Sequence, residues 1–415
     1  MTYLGSSPTS QNFISGTDYF NGTGSQTVFT LARSVNSVND VEVVVNNVIQ
    51  QPNSYTVSGT TLTLSAAPSA GTSNVYVRYL ATNQQSFTVG NNTVGYNQLT
   101  ADMQFKFAMK NRLINSAMVI DQRNAGASKT ITDTGALTYT VDRMFAYGSV
   151  ASKFSVQQNA GAVTPPIGFA KYLGCTSLSA YTVGAAEAFI IGQAIEGYNT
   201  ADLGWGTANA KTVTLSFQAY SSLTGTFGGC IYNGASNYSY PFSYSIPVAN
   251  TWTTISITIV GPTAGTWTTD NSASIQVVWG LGCGSSVSGT AGSWSANSYR
   301  SATGATSVVG TNGATFYITG VQLEVGTSAT GFEYRQYQQE LALCQRYYEI
   351  GGTGSLVFNA GTFNSAQFKV TKRSDPTVTI TPSGGSTTGI TVNVAGFYAT
   401  NTTTSAATWV ATIEL

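Results

Sequence analysis

Between Leu203 and Gln322 the sequence carries only three residues of the Asp/Glu/Lys/Arg set, Lys211, Asp270 and Arg300, and its apolar residues alternate with Ser and Thr. A period of two puts every second side chain on the same face of an extended strand. Residues 212–217, 254–259, 274–279 and 315–319 all read this way, giving one face to a core and leaving a neutral hydroxyl face outside. With turns at this rhythm, the roughly 220 residues of 115–334 fit a single jelly-roll β-sandwich.

The flanks change character. Short β-branched and aromatic runs at 28–31, 41–45, 55–57, 61–64 and 75–79 are punctuated by Asn46-Asn47, Ser58-Gly59 and Ala70-Gly71. They predict a small N-terminal β-sandwich or barrel within residues 1–82, with a hairpin tip at 57–61. Residues 83–114 begin polar and Gly/Asn-rich, then place Leu99, Met103, Phe107 and Ile114 near helical spacing. That pattern predicts a linker followed by a short neck helix. Tyr334, Tyr337, Leu341, Cys344 and Tyr348 recur at 3, 4, 3, 4, the a/d spacing of a coiled-coil seam, and predict a helix over 335–350. Residues 351–415 return to strands around Thr381-Pro382-Ser383-Gly384-Gly385, a β tip too small for an independent core. The expected class is all-β: small N-terminal sandwich, helical neck, jelly roll, short helix, small C-terminal β tip.

The chain contains no histidine. That removes Ser-His-Asp and Cys-His dyads, the HExxH zinc helix and imidazole acid–base chemistry. Seventeen basic residues against seventeen acidic ones argue against a nucleic-acid partner. No apolar run approaches the ~18 residues of a membrane helix, and no signal peptide opens the chain, so no membrane insertion is expected. Cys175, Cys230, Cys283 and Cys344 form no CxxC pair, so no zinc site is expected. The plain reading is four reduced thiols, with a disulfide among the first three left open. No Asp-rich loop marks a calcium site. No metal and no cofactor are expected.

The run Thr315-Phe316-Tyr317-Ile318-Thr319-Gly320-Val321-Gln322-Leu323-Glu324-Val325-Gly326, then Ala329-Thr330-Gly331-Phe332-Glu333-Tyr334-Arg335, then Glu340-Leu341, then Cys344-Gln345-Arg346-Tyr347-Tyr348, resembles a segment recurrent in bacteriophage tail fibre (receptor-binding) proteins. There it closes a carbohydrate-binding-module-like jelly roll and leads into a trimeric tip. Asn111-Arg112-Leu113-Ile114-Asn115 and Val141-Asp142-Arg143 are similar to that module's opening, and Asp18-Tyr19-Phe20-Asn21-Gly22 to fibre and adaptor-type N-terminal domains. The stretch 145–310 matches in no detail, so no ligand transfers. The resemblance implies a homotrimeric virion tail protein made in the host cytoplasm. Its 1–82 domain would dock to a tail adaptor, nozzle or portal-proximal protein, and its distal domains would adsorb to host surface polysaccharide or lipopolysaccharide. Leu99, Met103, Phe107, Tyr337, Leu341, Cys344 and Tyr348 would then line the trimer interface. A head or collar fibre acting as spacer, and a capsular polysaccharide depolymerase, are the competing readings.

Flat aromatics stack on the CH faces of sugars while Asn and Ser bond their hydroxyls. Trp205, Trp267 and Trp294 lie among turn residues, and Tyr232, Asn237, Tyr238 and Tyr240 crowd one loop, so these seven are the candidate ligand contacts; Trp252 and Trp279 fall in strand-like runs and read as core. Glycosidases need two carboxylates about one bond. Glu187, Glu196 and Asp202 are the acidic cluster of the module, but their sequence context carries no catalytic signature, and the chain is expected not to be an enzyme. Asp142, Arg143 and Glu324, at the two ends of the module, predict a structural ion pair.

Overall fold

The computed structural model describes residues 16–80 and 110–415, and the chain divides into two compact units, Met1–Leu99 and Thr100–Leu415. The architecture is all-β.

In the first unit a four-stranded sheet, ordered Thr17–Gly22, Gly71–Tyr79, Val41–Val45, Val48–Ile49, faces the pair Val28–Val35 and Tyr55–Leu64. Their inward residues, among them Phe29, Leu31, Val43, Leu62, Val75 and Val77, make one buried core. Asn46 and Asn47 turn the 41–49 hairpin with φ of 50° and 65°, the left-handed region that Asn tolerates. The expected tip at 57–61 is absent: Tyr55–Leu64 is one strand running through Gly59.

The second unit is built on two six-stranded sheets. One is ordered Thr253–Ile259, Val213–Ser221, Thr315–Val325, Leu173–Ser177, Phe154–Gln158, Lys129–Thr130. The other is ordered Ser239–Ile246, Gly225–Asn233, Ala273–Cys283, Ala188–Glu196, Phe145–Gly148, Thr138–Tyr139. Strict alternation sends Val213, Leu215, Phe217 and Ala219 inward to meet Trp279, Val277 and Ile275 from the facing sheet. Burying each such large side chain is worth roughly 1.5–3 kcal/mol. Thr253–Ile259 keeps the expected exposed hydroxyl face, whereas Ala188–Glu196 and Thr315–Val325 are buried on both faces, so there the expected outer face is covered. Trp279 is wholly buried, as its strand context predicts, whereas Trp252 packs on the outer face of the first sheet against Tyr172 and Tyr220.

The C-terminal residues add two three-stranded sheets, Tyr348–Phe358 with Ser405–Thr412 and Thr377–Pro382, and Asn364–Gln367 with Gly396–Asn401 and Thr387–Asn393. Leu356, Phe358, Phe397 and Trp409 form their small core.

The helical expectations are revised. Leu99, Met103 and Phe107 lie outside the described residues, and the following stretch that contains Ile114 is not helical. The helix predicted over 335–350 spans Tyr337–Gln345, and Tyr348 already begins a strand. Cys344 is buried beside Ile114, Ile120 and Tyr347 of its own chain, with Leu341 packed on the same cluster. Tyr348 is 9% exposed under Arg123, whose guanidinium carbon lies 3.6 Å from its ring centroid. So Cys344 and Tyr348, expected on a partner's surface, are covered within one chain, while Tyr337 is exposed. Among the described residues no helix is long and apolar enough to cross a membrane.

Candidate functional site

One end of the jelly roll is closed by aromatic rings carried on four chain segments. Gly204 and Gly206 turn the backbone with φ of 61° and 85° and present Trp205 between them. Gly265, at φ 87°, does the same beside Trp267, and a Cβ there would lie 3.0 Å from the Tyr238 ring. The third segment, 292–297, is strapped to the second sheet: Ser239 and Ser295 exchange N–H to O bonds of 2.9 Å, and Gly292 N–H donates to Pro241 O. The fourth is the tip of the 225–246 hairpin, where Asn233 Oδ1 accepts the N–H groups of Asn237 and Tyr238.

These segments bring five of the seven expected ligand residues together. Trp205 meets Trp267 at 4.9 Å and Trp294 at 5.5 Å edge to face, and Trp267 meets Trp294 at 5.5 Å. Tyr238 lies nearly parallel to Trp294, centroids 5.7 Å apart, and Tyr240 packs at 5.2 Å. Every indole N–H of the three is spent on a backbone carbonyl: Trp205 on Lys211, Trp267 on Ala264, Trp294 on Val260. Trp205 and Tyr240 are buried and anchor the cluster to the core; Trp267, Trp294 and Tyr238 are half-buried. A ring whose polar edge is already bonded offers solvent only its apolar surface, the requirement for stacking on a sugar. Asn237 is exposed, its side-chain oxygen accepting from Asn233 Nδ2.

Tyr232 goes elsewhere. It points to the outer face of the second sheet, is 3% exposed, and donates its hydroxyl to Gln276 Oε1 at 2.9 Å. Burial pushes its phenol well up from 10.0, although the nearby Arg300 charge pulls the other way. The Arg300 guanidinium carbon sits 4.1 Å from the Tyr232 ring centroid. Neither Arg300 nor Gln276 was flagged from sequence. The signal available was Arg300's isolation in a stretch almost without charge.

The expected Asp142–Arg143–Glu324 ion pair does not form. Arg143, 1% exposed, pairs with Glu414, donates to Ala194 O at 2.7 Å and stacks on Tyr347 at 3.6 Å. Asp142 accepts from the backbone and side-chain N–H groups of Gln122. Glu324 accepts from Gln322 Nε2 and from Thr330 and lies 4.0 Å from Lys110. The partner of Arg143 comes from the last strand's exit, a separation no local pattern reveals.

The three acids are also apart in role. Glu187 accepts from Tyr181 and Gly184 N–H. Asp202 pairs with Arg112 at 2.8 Å. Glu196 is buried under Arg346 and Tyr347. Burial pushes the Glu196 carboxyl up, but those two hydrogen bonds and the Arg346 charge outweigh it and hold it below 4.5. No group of three or more His, Cys, Asp or Glu side chains able to hold a metal occurs among the described residues.

No family model and no curated protein matches this chain. Solved structures do. An enzymatically active domain of tailspike protein 4 from bacteriophage CBA120 is similar at TM-score 0.26 and 13% identity over 52% of this chain. The chain spans only 21% of that domain. A family 61 carbohydrate-binding module in complex with β-1,4-galactotriose is similar at TM-score 0.28 and 9% identity, covering 52% of this chain and 99% of the module. A family 11 module from Clostridium thermocellum is similar at TM-score 0.24 and 14% identity, covering 49% and 98%. At these scores the likenesses assign neither fold nor ligand. One expectation is corrected by them: an enzymatically active domain stands among the similar structures, so the reading of this chain as a non-enzyme does not hold. Catalysis is neither assigned nor excluded.

Proposed function

We propose that this chain is a glycan-recognising fibre protein of a phage virion, a homotrimer attached to the tail through residues 1–82 and adsorbing to host surface polysaccharide through its distal β domains. The observation that carries the glycan part is the Trp205–Trp267–Trp294–Tyr238–Tyr240 cluster, whose indole N–H groups are bonded to backbone and whose outer rings are half-buried. The sequence resemblance of 315–348 to tail fibre segments supports the virion part. Weak single-site affinity would be raised by three copies per fibre.

The test uses the full chain. Purified protein should bind cells of a susceptible host and block adsorption. Trp267→Ala should weaken binding at least tenfold with little change in melting temperature, because Trp267 sits at the rim. Trp205→Phe, at the buried anchor, should leave affinity within a few-fold. Absence of binding to any susceptible cell, or full binding by Trp267→Ala, overturns the reading. Light scattering on the same sample should give a trimer mass; a folded monomer overturns the assembly.

A further inference from the structure

Within the strap of residues 292–302, Arg300 is the one charged side chain. Every other arginine of the second unit is committed: Arg112, Arg123, Arg143, Arg335 and Arg346 to carboxylates, and Arg373 to three carbonyls. Arg300 has no ion pair among the described residues, and the protein acceptor it does have is the carbonyl of its own neighbour Tyr299, 3.0 Å from Nη1. Yet it is not loose. Its backbone N–H donates to Val287 O at 2.7 Å, Ser301 pairs with Ser288, and its guanidinium carbon lies 4.1 Å from the ring centroid of buried Tyr232.

Tyr232 also orients the second donor. Its hydroxyl occupies Gln276 Oε1, which leaves the half-buried Gln276 amide N–H₂ without an acceptor among the described residues. Tyr232 and Gln276 are register partners on neighbouring strands, so one tyrosine carries the guanidinium at its ring and the amide at its hydroxyl. The segment that carries Arg300 carries Trp294 too, and Tyr299 N–H and the Asn297 carbonyl both bond Ser239 Oγ. Aromatic cluster and arginine are thus built on the same strap.

We infer that Arg300, with Gln276, is a specificity element that selects glycans bearing a carboxylate, an acidic sugar of the uronic or sialic kind, resting on the glycan-binding reading above. A guanidinium fork matches a carboxylate in a bidentate manner. A single positive charge matches a monoanion better than a dianionic phosphate, and Lys211, the other cation between Leu203 and Gln322, lies 3.8 Å from Asp202. Pre-stacking on Tyr232 lowers the ordering cost of that fork.

The experiment titrates the full chain with oligoglucuronate, with the same oligosaccharide carboxyl-reduced, and with an oligosaccharide bearing a phosphomonoester. The parent should bind the carboxylated form at least tenfold more tightly than the reduced form, and the difference should shrink with salt. Arg300→Gln should abolish the preference while keeping the affinity for the reduced form, and Arg300→Lys should restore only part of it. The side-chain Nε signal of Arg300 should move with glucuronate and not with glucose. Equal binding of carboxylated and reduced forms, retention of the preference in Arg300→Gln, or tighter binding of the phosphate form overturns the inference and leaves glycan recognition standing. Failure of every oligosaccharide to bind and of the Arg300 signal to move, together with failure to bind host cells, overturns both.

Discussion

Asp142 is fully buried, and burial pushes its carboxyl up from 3.8 to about 6, against the pull of the Gln122 hydrogen bonds and the Arg123 charge. Below pH 4 the group is protonated in folded and unfolded chains alike. As pH rises from about 4 to 6 the unfolded chain releases the proton while the folded chain keeps it, so stability falls through that window and stays lower above it. A shift of this size corresponds to roughly 3 kcal/mol. Asp142→Asn should therefore gain stability over the parent by a few kcal/mol between pH 4 and pH 7, read as the difference of two urea-unfolding series. A difference independent of pH would refute the buried, proton-retaining carboxyl. From sequence, Asp142 and Arg143 were visible as an unusual pair of charges, but their partners Gln122 and Glu414 were not, because a charge pattern carries no range information.

At the scale of elements, the loops of the aromatic end depend on glycines for two different reasons. Gly206, at φ 85°, would place a Cβ 2.8 Å from Gly265 O and 3.0 Å from Trp267 Cδ1, whereas Gly292, at φ 88°, has nothing within 4 Å. Alanine at 292 meets backbone strain alone, on the order of 1 kcal/mol. Alanine at 206 adds a clash with fixed backbone, so Gly206→Ala should lose about 1–3 kcal/mol and alter the near-ultraviolet signal of the coupled tryptophans. Equal costs for the two variants would contradict the packing of the Trp205 and Trp267 loops. The strands themselves were legible, since period-two alternation directly reports which face is covered. The helix was legible in existence and not in role: 3, 4 spacing marks an apolar stripe, and the stripe of Leu341 and Cys344 is met by Ile114 and Ile120 of the same chain.

Across the whole second unit, charge is concentrated where the jelly roll meets the C-terminal sheets. Arg143 and Arg123 share Glu414, Arg346 and Tyr347 hold Glu196, and Lys372 lies fully buried against Glu349 at 2.6 Å. Burial pushes the Lys372 amine down, and Glu349 opposes that pull without reversing it. Arg373 bonds the carbonyls of Ile413, Glu414 and Asn271 and so joins both halves. Removing one member of a buried pair typically costs 3–5 kcal/mol because a charge is left uncompensated. A chain ending at Tyr347 strands Arg143, so it should fail to accumulate as a folded jelly roll, and the parent unit should melt in a single calorimetric transition. A soluble, cooperatively folding chain ending at Tyr347 would show that the C-terminal sheets are a mere appendage.

The sequence by itself determined the all-β class, the alternating strands, the buried Trp279 and the crowding of aromatics into turns, because each of these is written in local periodicity and turn chemistry. The tertiary structure alone decided that the aromatic loops close on one another, that Arg143 answers to Glu414, and that Arg300 rests on Tyr232. Those pairings join residues tens to hundreds of positions apart, and a β-sandwich sets such neighbours by strand order, which no single strand encodes.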